Sequence, residues 1–491
     1  MSIIARQSVK FSIISYFGYA IGILASVFLY PYDFDFSGKI QIVLSYAELL
    51  SPFILFGLSA SIMKFNPELK QKNATQSFFT FGIIIIILNS GLAFLAFKLL
   101  QIFFPKLVQT DLLQFSTYIF PLILLLSLVQ LYTRYINNFY RIVVPNLLSN
   151  ILPKLGSITA FTLFYFWHCS QHFSLSVFVT FHLLIVVFIV LYLKNLEPSS
   201  YSFQFNFLTE ISFRKSIINY SLFAIIGGIG SIITTRIDKI MIGQFISDES
   251  VGVYSNFVAL LTLVTIPAVA LYTIATPKIV EFISKNDIIS LQKMYHKSSL
   301  ALFFVASFIL CIIFSGAEGL FDLMKNGQKL LAIFPVLYIL GFAVLFDVAT
   351  GFNSQILTYS NYYKFNMILI FVLALVSIIL NFFFLYNTSL GIFGVAIANF
   401  MSMFVFNVIK CTFIYRKFGI YPFSFAYLYV LIAMLLSLSV NYFFQFTLWY
   451  ENLLIKPALV LVIFIICNSF FKIIPFKELY QNNLKSFLTG K

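Results

Sequence analysis

Among the ionisable side chains within stretches otherwise long and apolar enough to cross a bilayer, five form a shortlist: Glu48, Lys154, Arg236, Asp238 and Asp347. A charge at the centre of a transmembrane helix costs about 2.5–3.5 kcal/mol on insertion scales, so each is a functional-site candidate by default. A carboxylate in that setting takes a cation or a proton. A guanidinium or ammonium pairs with a carboxylate or receives an anion. Arg236 and Asp238 open the stretch that runs to Ser255 and joins two long apolar segments near the middle of the chain. Lys239 stands beside them, and Gly243 and Gly252 flank a short polar turn. Each residue also has a plainer reading. Asp238 marks the membrane edge and caps a turn; Lys154 follows Pro153 and bonds carbonyls freed by a kink. Asp347 ends a helix, Glu48 is a structural carboxylate, and Arg236 pairs with Glu48 or Asp238. Residue type and spacing leave both readings open.

The elements that must position these groups are membrane helices. Of 491 residues, 60% are hydrophobic and 10% charged, against roughly 25% charged in a soluble domain. A crossing needs about 20 apolar residues, and about 14 such spans fill the chain almost end to end. They fall near residues 9–30, 40–63, 77–104, 112–132, 142–167 and 173–193 in the first half. The others fall near 217–238, 251–276, 299–323, 330–350, 365–386, 391–415, 422–446 and 453–471. The expected fold is therefore an all-α polytopic membrane protein. The first apolar segment is too long for a signal-peptide core and is expected to be retained.

The loops set the orientation. Alternate connections hold 22 Lys and Arg on one side and 7 on the other. The richer set includes Arg6, Lys10, Lys64, Lys72, Arg214, Lys285, Lys410 and Lys417; the poorer includes Lys39, Lys106, Lys239 and Lys456. The positive-inside rule puts the richer set, and both termini, in the cytoplasm. The segment 277–298 reads as an amphipathic interfacial helix, with Ile279, Phe282, Ile283, Ile288, Ile289 and Leu291 among charges. A weak repeat pairs Ile119-Phe120-Pro121 with Ile333-Phe334-Pro335 and Gly38 with Gly252, both at an offset of 214. Six spans separate the copies, so the repeat is parallel. The resulting division is a six-helix lobe at 1–194, a linker at 195–216, a second six-helix lobe at 217–417, and two added helices with a tail at 418–491.

Several function classes are disfavoured. The net charge of +14 is scattered among loops, without the basic groove and aromatic platform of a nucleic-acid binder. The four cysteines share no close spacing and the four histidines form no metal motif. No Gly-rich phosphate loop, HExxH or GxSxG occurs, so neither a cofactor nor an enzymatic role is expected. Without a large extracytoplasmic loop, a membrane polymerase or ligase is the weaker alternative.

The ordered motifs Tyr30-Pro31, Phe56-Gly57-Leu58 and Lys64-Phe65-Asn66-Pro67 carry a resemblance. So do Ile237-Asp-Lys-Ile-Met-Ile-Gly243 with Val251-Gly-Val-Tyr254, Thr276-Pro-Lys-Ile-Val-Glu281, and Gly391-Ile-Phe-Gly-Val-Ala-Ile-Ala398. Together they resemble the polysaccharide-biosynthesis transporter family, the Wzx-type flippases. Lys39 departs from the family pattern, where a small apolar or aromatic residue is usual. The resemblance implies a fold like the multidrug-and-toxin extrusion (MATE) antiporters, two six-helix lobes around a central cavity. It implies movement of undecaprenyl-diphosphate-linked oligosaccharide to the outer leaflet of a bacterial inner membrane, and partners that polymerise the product and set its chain length. On that reading Arg236 is the first candidate to contact the anionic diphosphate and Lys154 a second, and Tyr16, Tyr19 and Tyr46 stack on sugars or pack structurally. Glu48, Asp238 and Asp347 are then candidates for Na⁺ or H⁺ coupling. A MATE-type drug or cation antiporter is the alternative within transport, and a scaffold of an envelope-assembly complex is the non-transport one.

The charge alternation makes a direct prediction. Reporter fusions at Lys39 and Lys417 are expected to report opposite sides of the membrane; the same side for both overturns the topology.

Overall fold

The computed structural model describes residues 3–103, 114–139, 141–198 and 201–473, with side chains from residue 13 onward. The Arg6 and Lys10 side chains, Lys106 and the basic tail beyond 473 lie outside that set. All regular structure within it is helical. In chain order the first helices are α1 (Ile3–Phe28), α2 (Phe34–Leu55), α3 (Leu58–Lys64), α4 (Asn66–Gln71) and α5 (Thr75–Phe103). They are followed by α6 (Ser116–Asn137), α7 (Val143–Tyr165), α8 (Gln171–Leu196) and α9 (Ile211–Phe245). Then come α10 (Asp248–Ser284), α11 (Ile288–Leu323), α12 (Gln328–Leu331), α13 (Pro335–Ala349) and α14 (Asn353–Tyr359). The last are α15 (Tyr363–Asn387), α16 (Ile392–Phe418), α17 (Ala426–Phe443) and α18 (Lys456–Phe471). Among the described residues 13 helices are long and apolar enough to span a membrane, or 14 when α13 and α14, bent by 48°, count as one. Each expected span has its helix.

Packing divides the chain into two compact units, Met1–Ser255 and Asn256–Lys491. In the first, α2 is the buried centre: Ile42, Val43 and Ala47 have no exposed surface. Its entry is capped by Asp33, which accepts the Phe36 amide at 2.9 Å. α5 turns Leu88, Leu92 and Leu95 outward, each more than half exposed, as a lipid-facing helix must. In the second unit α11 plays the central part, burying Leu310, Phe314 and Phe321.

Two spans are broken. α2 contains Pro52 and stops at Phe56, which is left-handed at φ 47°, with Gly57 next at φ 68°. Backbone groups freed inside a membrane must be satisfied within the protein. Here Asn89 Nδ2 donates to the Ile54 carbonyl at 3.1 Å. The second break, at 350–352, turns through Gly351 at φ 63°. The Tyr427 hydroxyl donates there to the Ala349 carbonyl at 2.9 Å.

The segment 277–298 is not a separate surface helix. It is the end of α10, a short turn and the start of α11. Ile279 and Leu291 bury against Phe352, Ile356 and Ile414 rather than facing lipid head groups. The periodicity was that of two helix ends sharing one protein core. Asp287 caps α11 by accepting the Ser290 amide at 3.0 Å, and its bonds to Ser290 hold its carboxyl below the usual carboxylate range.

Gly38 and Gly252, matched by the internal repeat, lie against each other. A Cβ on Gly38 would overlap the Asp248 carbonyl, and one on Gly252 would overlap the Phe34 carbonyl. Backbones this close admit only glycine. Gly38→Val and Gly252→Val are each expected to destabilise the protein by about 1–3 kcal/mol, read as a lower melting midpoint in detergent. Gly91→Ala, with open space around it, is the control expected to leave the midpoint unchanged.

Candidate functional site

In the first unit, α9 and α2 meet along a seam of polar contacts. Arg236 donates from Nε to Glu48 Oε2 at 2.5 Å and from Nη2 to Oε1 at 2.9 Å. This two-pronged geometry is the one a guanidinium is built for. The two side chains keep 23% and 27% of their surface. One turn further along α9, Lys239 donates to Gln41 Oε1 at 2.7 Å. Gln41 lies two turns before Glu48, so the helices run antiparallel. Gln244 donates to the hydroxyl of buried Tyr46.

Asp238 does not cap a turn. α9 continues through it to Phe245, and its buried carboxylate accepts the Tyr254 hydroxyl at 2.7 Å. That bond ties the end of α9 to the start of α10. Glu48, Arg236, Asp238 and Lys239 together carry no net charge.

Lys154 stands apart. It lies on α7, but its ammonium reaches over α1, where glycines leave room for it. A Cβ on Gly18 would sit 3.2 Å from Nζ, and one on Gly22 3.4 Å from Cε. Nζ lies 5.1 Å from the Tyr19 ring centroid, within cation–π range. Tyr16 precedes Tyr19 by three residues and so shares that helix face. Among the described residues Lys154 has no carboxylate partner and no bond to the carbonyls around Pro153.

Asp347 belongs to the second unit. Asn407 on α16 donates to its Oδ1 at 2.9 Å, and Asn407 Oδ1 accepts Asn353 Nδ2 at 2.9 Å. The Thr350 hydroxyl lies 3.1 Å from the same oxygen. Asp347 therefore helps brace the broken span. Lys410 joins this cluster, donating to Ser354 Oγ at 2.6 Å with its ammonium 3.7 Å from the Phe406 ring centroid.

Three lysines read as loop charges are buried inside the protein: Lys239, Lys410 and Lys456, none more than 6% exposed. Lys456 pairs with Glu318 at 2.8 Å. Their positions near the expected span ends hid them. The signal that marks Lys410 is Asn407 three residues earlier, which puts both polar groups on one face of α16. His182, 1% exposed on α8, also went unread; its Nδ1 lies 3.0 Å from the Phe178 carbonyl. Among the described residues no three His, Cys, Asp or Glu side chains converge on a metal.

The family model described as polysaccharide biosynthesis protein matches residues 12–283. No curated protein matches the sequence. Among solved structures, the chain is similar to the lipid II flippase MurJ in an inward closed conformation. That likeness has a TM-score of 0.68 at 16% identity, over 94% of this chain and 98% of that one. An inward-facing multidrug resistance MATE transporter of the MOP superfamily matches with a TM-score of 0.61 at 13% identity, over 83% and 94%. A MOP superfamily transporter from Pyrococcus furiosus matches with a TM-score of 0.57 at 13% identity, over 85% and 95%.

Arg236→Ala leaves Glu48 without its cation. The expected cost is on the order of 1–2 kcal/mol, below the insertion-scale value because both side chains keep part of their surface. Membrane abundance is expected to fall, and Arg236→Ala combined with Glu48→Gln is expected to restore it. No recovery in the double variant overturns the pairing as the reason for the loss.

Proposed function

Because this multi-pass membrane protein belongs to the polysaccharide biosynthesis protein family, we propose that it flips undecaprenyl-diphosphate-linked oligosaccharide from the cytoplasmic to the outer leaflet of a bacterial inner membrane. The family match and the flippase and transporter folds support lipid-linked flipping or transport in general. The finer reading adds the glycan, the carrier and the direction. The isoprenoid tail can stay in the bilayer, whereas the diphosphate and the sugar hydroxyls cannot cross hydrocarbon unpaired. The transporter then works by alternating access, with both termini cytoplasmic, and hands the product to envelope-assembly partners that lengthen it.

The observation that carries the substrate assignment is the cation at Lys154, which has no carboxylate among the described residues. Arg236 is already neutralised by Glu48, so Lys154 takes its place as the first contact and Arg236 stays in its structural pair. Tyr19, beside Lys154, and Tyr16 on the same face offer rings to the adjoining sugar. A negative cell interior favours outward movement of an anion by about 2.3 kcal/mol per charge per 100 mV. Glu48, Asp238 and Asp347 all have bonded partners; Asp347, at the bend of the broken span, is the one we assign to any Na⁺ or H⁺ coupling.

The antiporter alternative draws on the MATE folds. Deletion of the protein separates the two. The flippase reading expects loss of surface glycan with lipid-linked oligosaccharide held in the inner leaflet; normal glycan with new sensitivity to cationic drugs selects the antiporter. Lys154→Ala is expected to cut glycan export about tenfold at unchanged abundance, and Lys154→Arg to keep part of it, the loss of one charge-assisted contact. Undiminished export in Lys154→Ala removes this residue from substrate binding.

A further inference from the structure

An apolar groove of about 370 Å³ opens in the first unit, lined by Phe56, Phe78, Phe81, Ile85, Ile217 and Ile218 among others. Its polar rim is Arg214, one turn before the expected start of the span carried by α9. Ser221, at the inner end of the α9 wall, is occupied by a 2.8 Å bond with Ser61. From Arg214 to Ser221 the helix rises roughly 10 Å. With the span expected to begin at residue 217, the groove runs from head-group depth into the hydrocarbon of the leaflet on the side of the basic loops.

The break in the second span makes this groove. Phe56 is held at φ 47° and ψ 36°, a region that is strained for a bulky residue and persists only where surrounding structure enforces it. Gly57 allows α9 to cross directly against the break; a Cβ there would overlap the backbone of Ser221. The strain turns the Phe56 ring, 39% exposed, into the groove wall. Meanwhile Glu210, the nearest acid in sequence to Arg214, is taken by Lys72. Arg214 has no ion-pair partner among the described residues. A strained aromatic wall and an unpaired guanidinium at one mouth fit one ligand chemistry: a hydrocarbon chain attached to a phosphate.

We propose that this groove is a binding site for an anionic phospholipid, one acyl chain lying between Phe56, Phe81 and Ile218 and the phosphate held by Arg214. A single guanidinium at the rim matches a single phosphate, which favours a phospholipid over a diphosphate carrier. The site is independent of the transported substrate.

Native mass spectrometry of the full chain in detergent tests it with three probes: phosphatidylglycerol, phosphatidylcholine and undecaprenyl phosphate. Wild type is expected to retain phosphatidylglycerol in preference to phosphatidylcholine. Arg214→Gln is expected to weaken that retention about tenfold, the size of one charge-assisted hydrogen bond, and Arg214→Lys to keep most of it. Ile85→Trp, which fills the groove from α5 rather than from the helix that carries Arg214, is expected to abolish it, as is Ile218→Trp. Equal retention of the two phospholipids, or no effect of Arg214→Gln, Ile85→Trp and Ile218→Trp, overturns the proposal. Displacement of phosphatidylglycerol by equimolar undecaprenyl phosphate also overturns it and gives the groove to the carrier. None of these readings depends on glycan export, so the transport assignment stands or falls separately.

Discussion

The ion pair between Arg236 and Glu48 joins residues 188 positions apart and fixes how α9 lies on the second span. Neither charge can be left alone at that depth, so only one register of the two helices is acceptable. The rest of the seam follows from it. Lys239 falls opposite Gln41, Gly228 faces Pro52, and Ser221 meets Ser61 and Gly57. From Ser221 to Lys239 the seam covers about 27 Å of helix, close to the thickness of the hydrocarbon core. Polar contacts mark both of its ends and Gly57 and Gly228 leave the backbones room between them, so the helix pair is held along its whole crossing rather than at one point.

That seam explains why a broken helix is tolerated in the second span. A chain that leaves helical geometry in lipid exposes carbonyls that water cannot reach. Asn89 takes one of them, and the close crossing of α9 covers the turn at Gly57. The second unit solves the same problem with different residues. Asn407 gathers Asp347, Thr350 and Asn353 on one side of the bend, and Tyr427 takes the Ala349 carbonyl on the other. Pro267, 215 residues after Pro52 in the sequence, leaves its own helix α10 unbroken. The position of each break is set by local side-chain partners.

The spans were legible in the sequence because hydropathy over a bilayer-length window depends on composition alone, and each expected span has a helix. Partners were less legible because they depend on register between distant segments. The sequence offered Glu48 and Asp238 equally to Arg236; the antiparallel register of α2 and α9 selects Glu48, and Tyr254 takes Asp238. Lys239, Lys410 and Lys456 were placed in loops because a lysine near a span end reads the same whether it snorkels outward or turns inward. Within 277–298, Ile279, Phe282, Ile283, Ile288 and Leu291 pack on one protein core, while Ile289 is 73% exposed; periodicity does not say whether lipid or protein lies against such a face.

The buried cations differ in what they leave available to a substrate. Arg236 faces Glu48, Lys456 faces Glu318, Lys239 adjoins Asp238, and Lys410 shares its cluster with Asp347. A neutral pair offers little field to an incoming anion, because the anion must first displace the carboxylate. Lys154 has no such competitor among the described residues, and the glycines of α1 let its ammonium lie against a ring rather than an acid. A lysine also suits a carrier that must let go. Its ammonium is a strongly hydrated point charge on a flexible stem, whereas an arginine fork would clamp a phosphate in fixed geometry. Transport requires binding strong enough to draw the head group from the leaflet and weak enough to release it on the other side. In the proposed mechanism Arg236 keeps its standing contact with Glu48, while Lys154 makes and breaks its contact in every cycle.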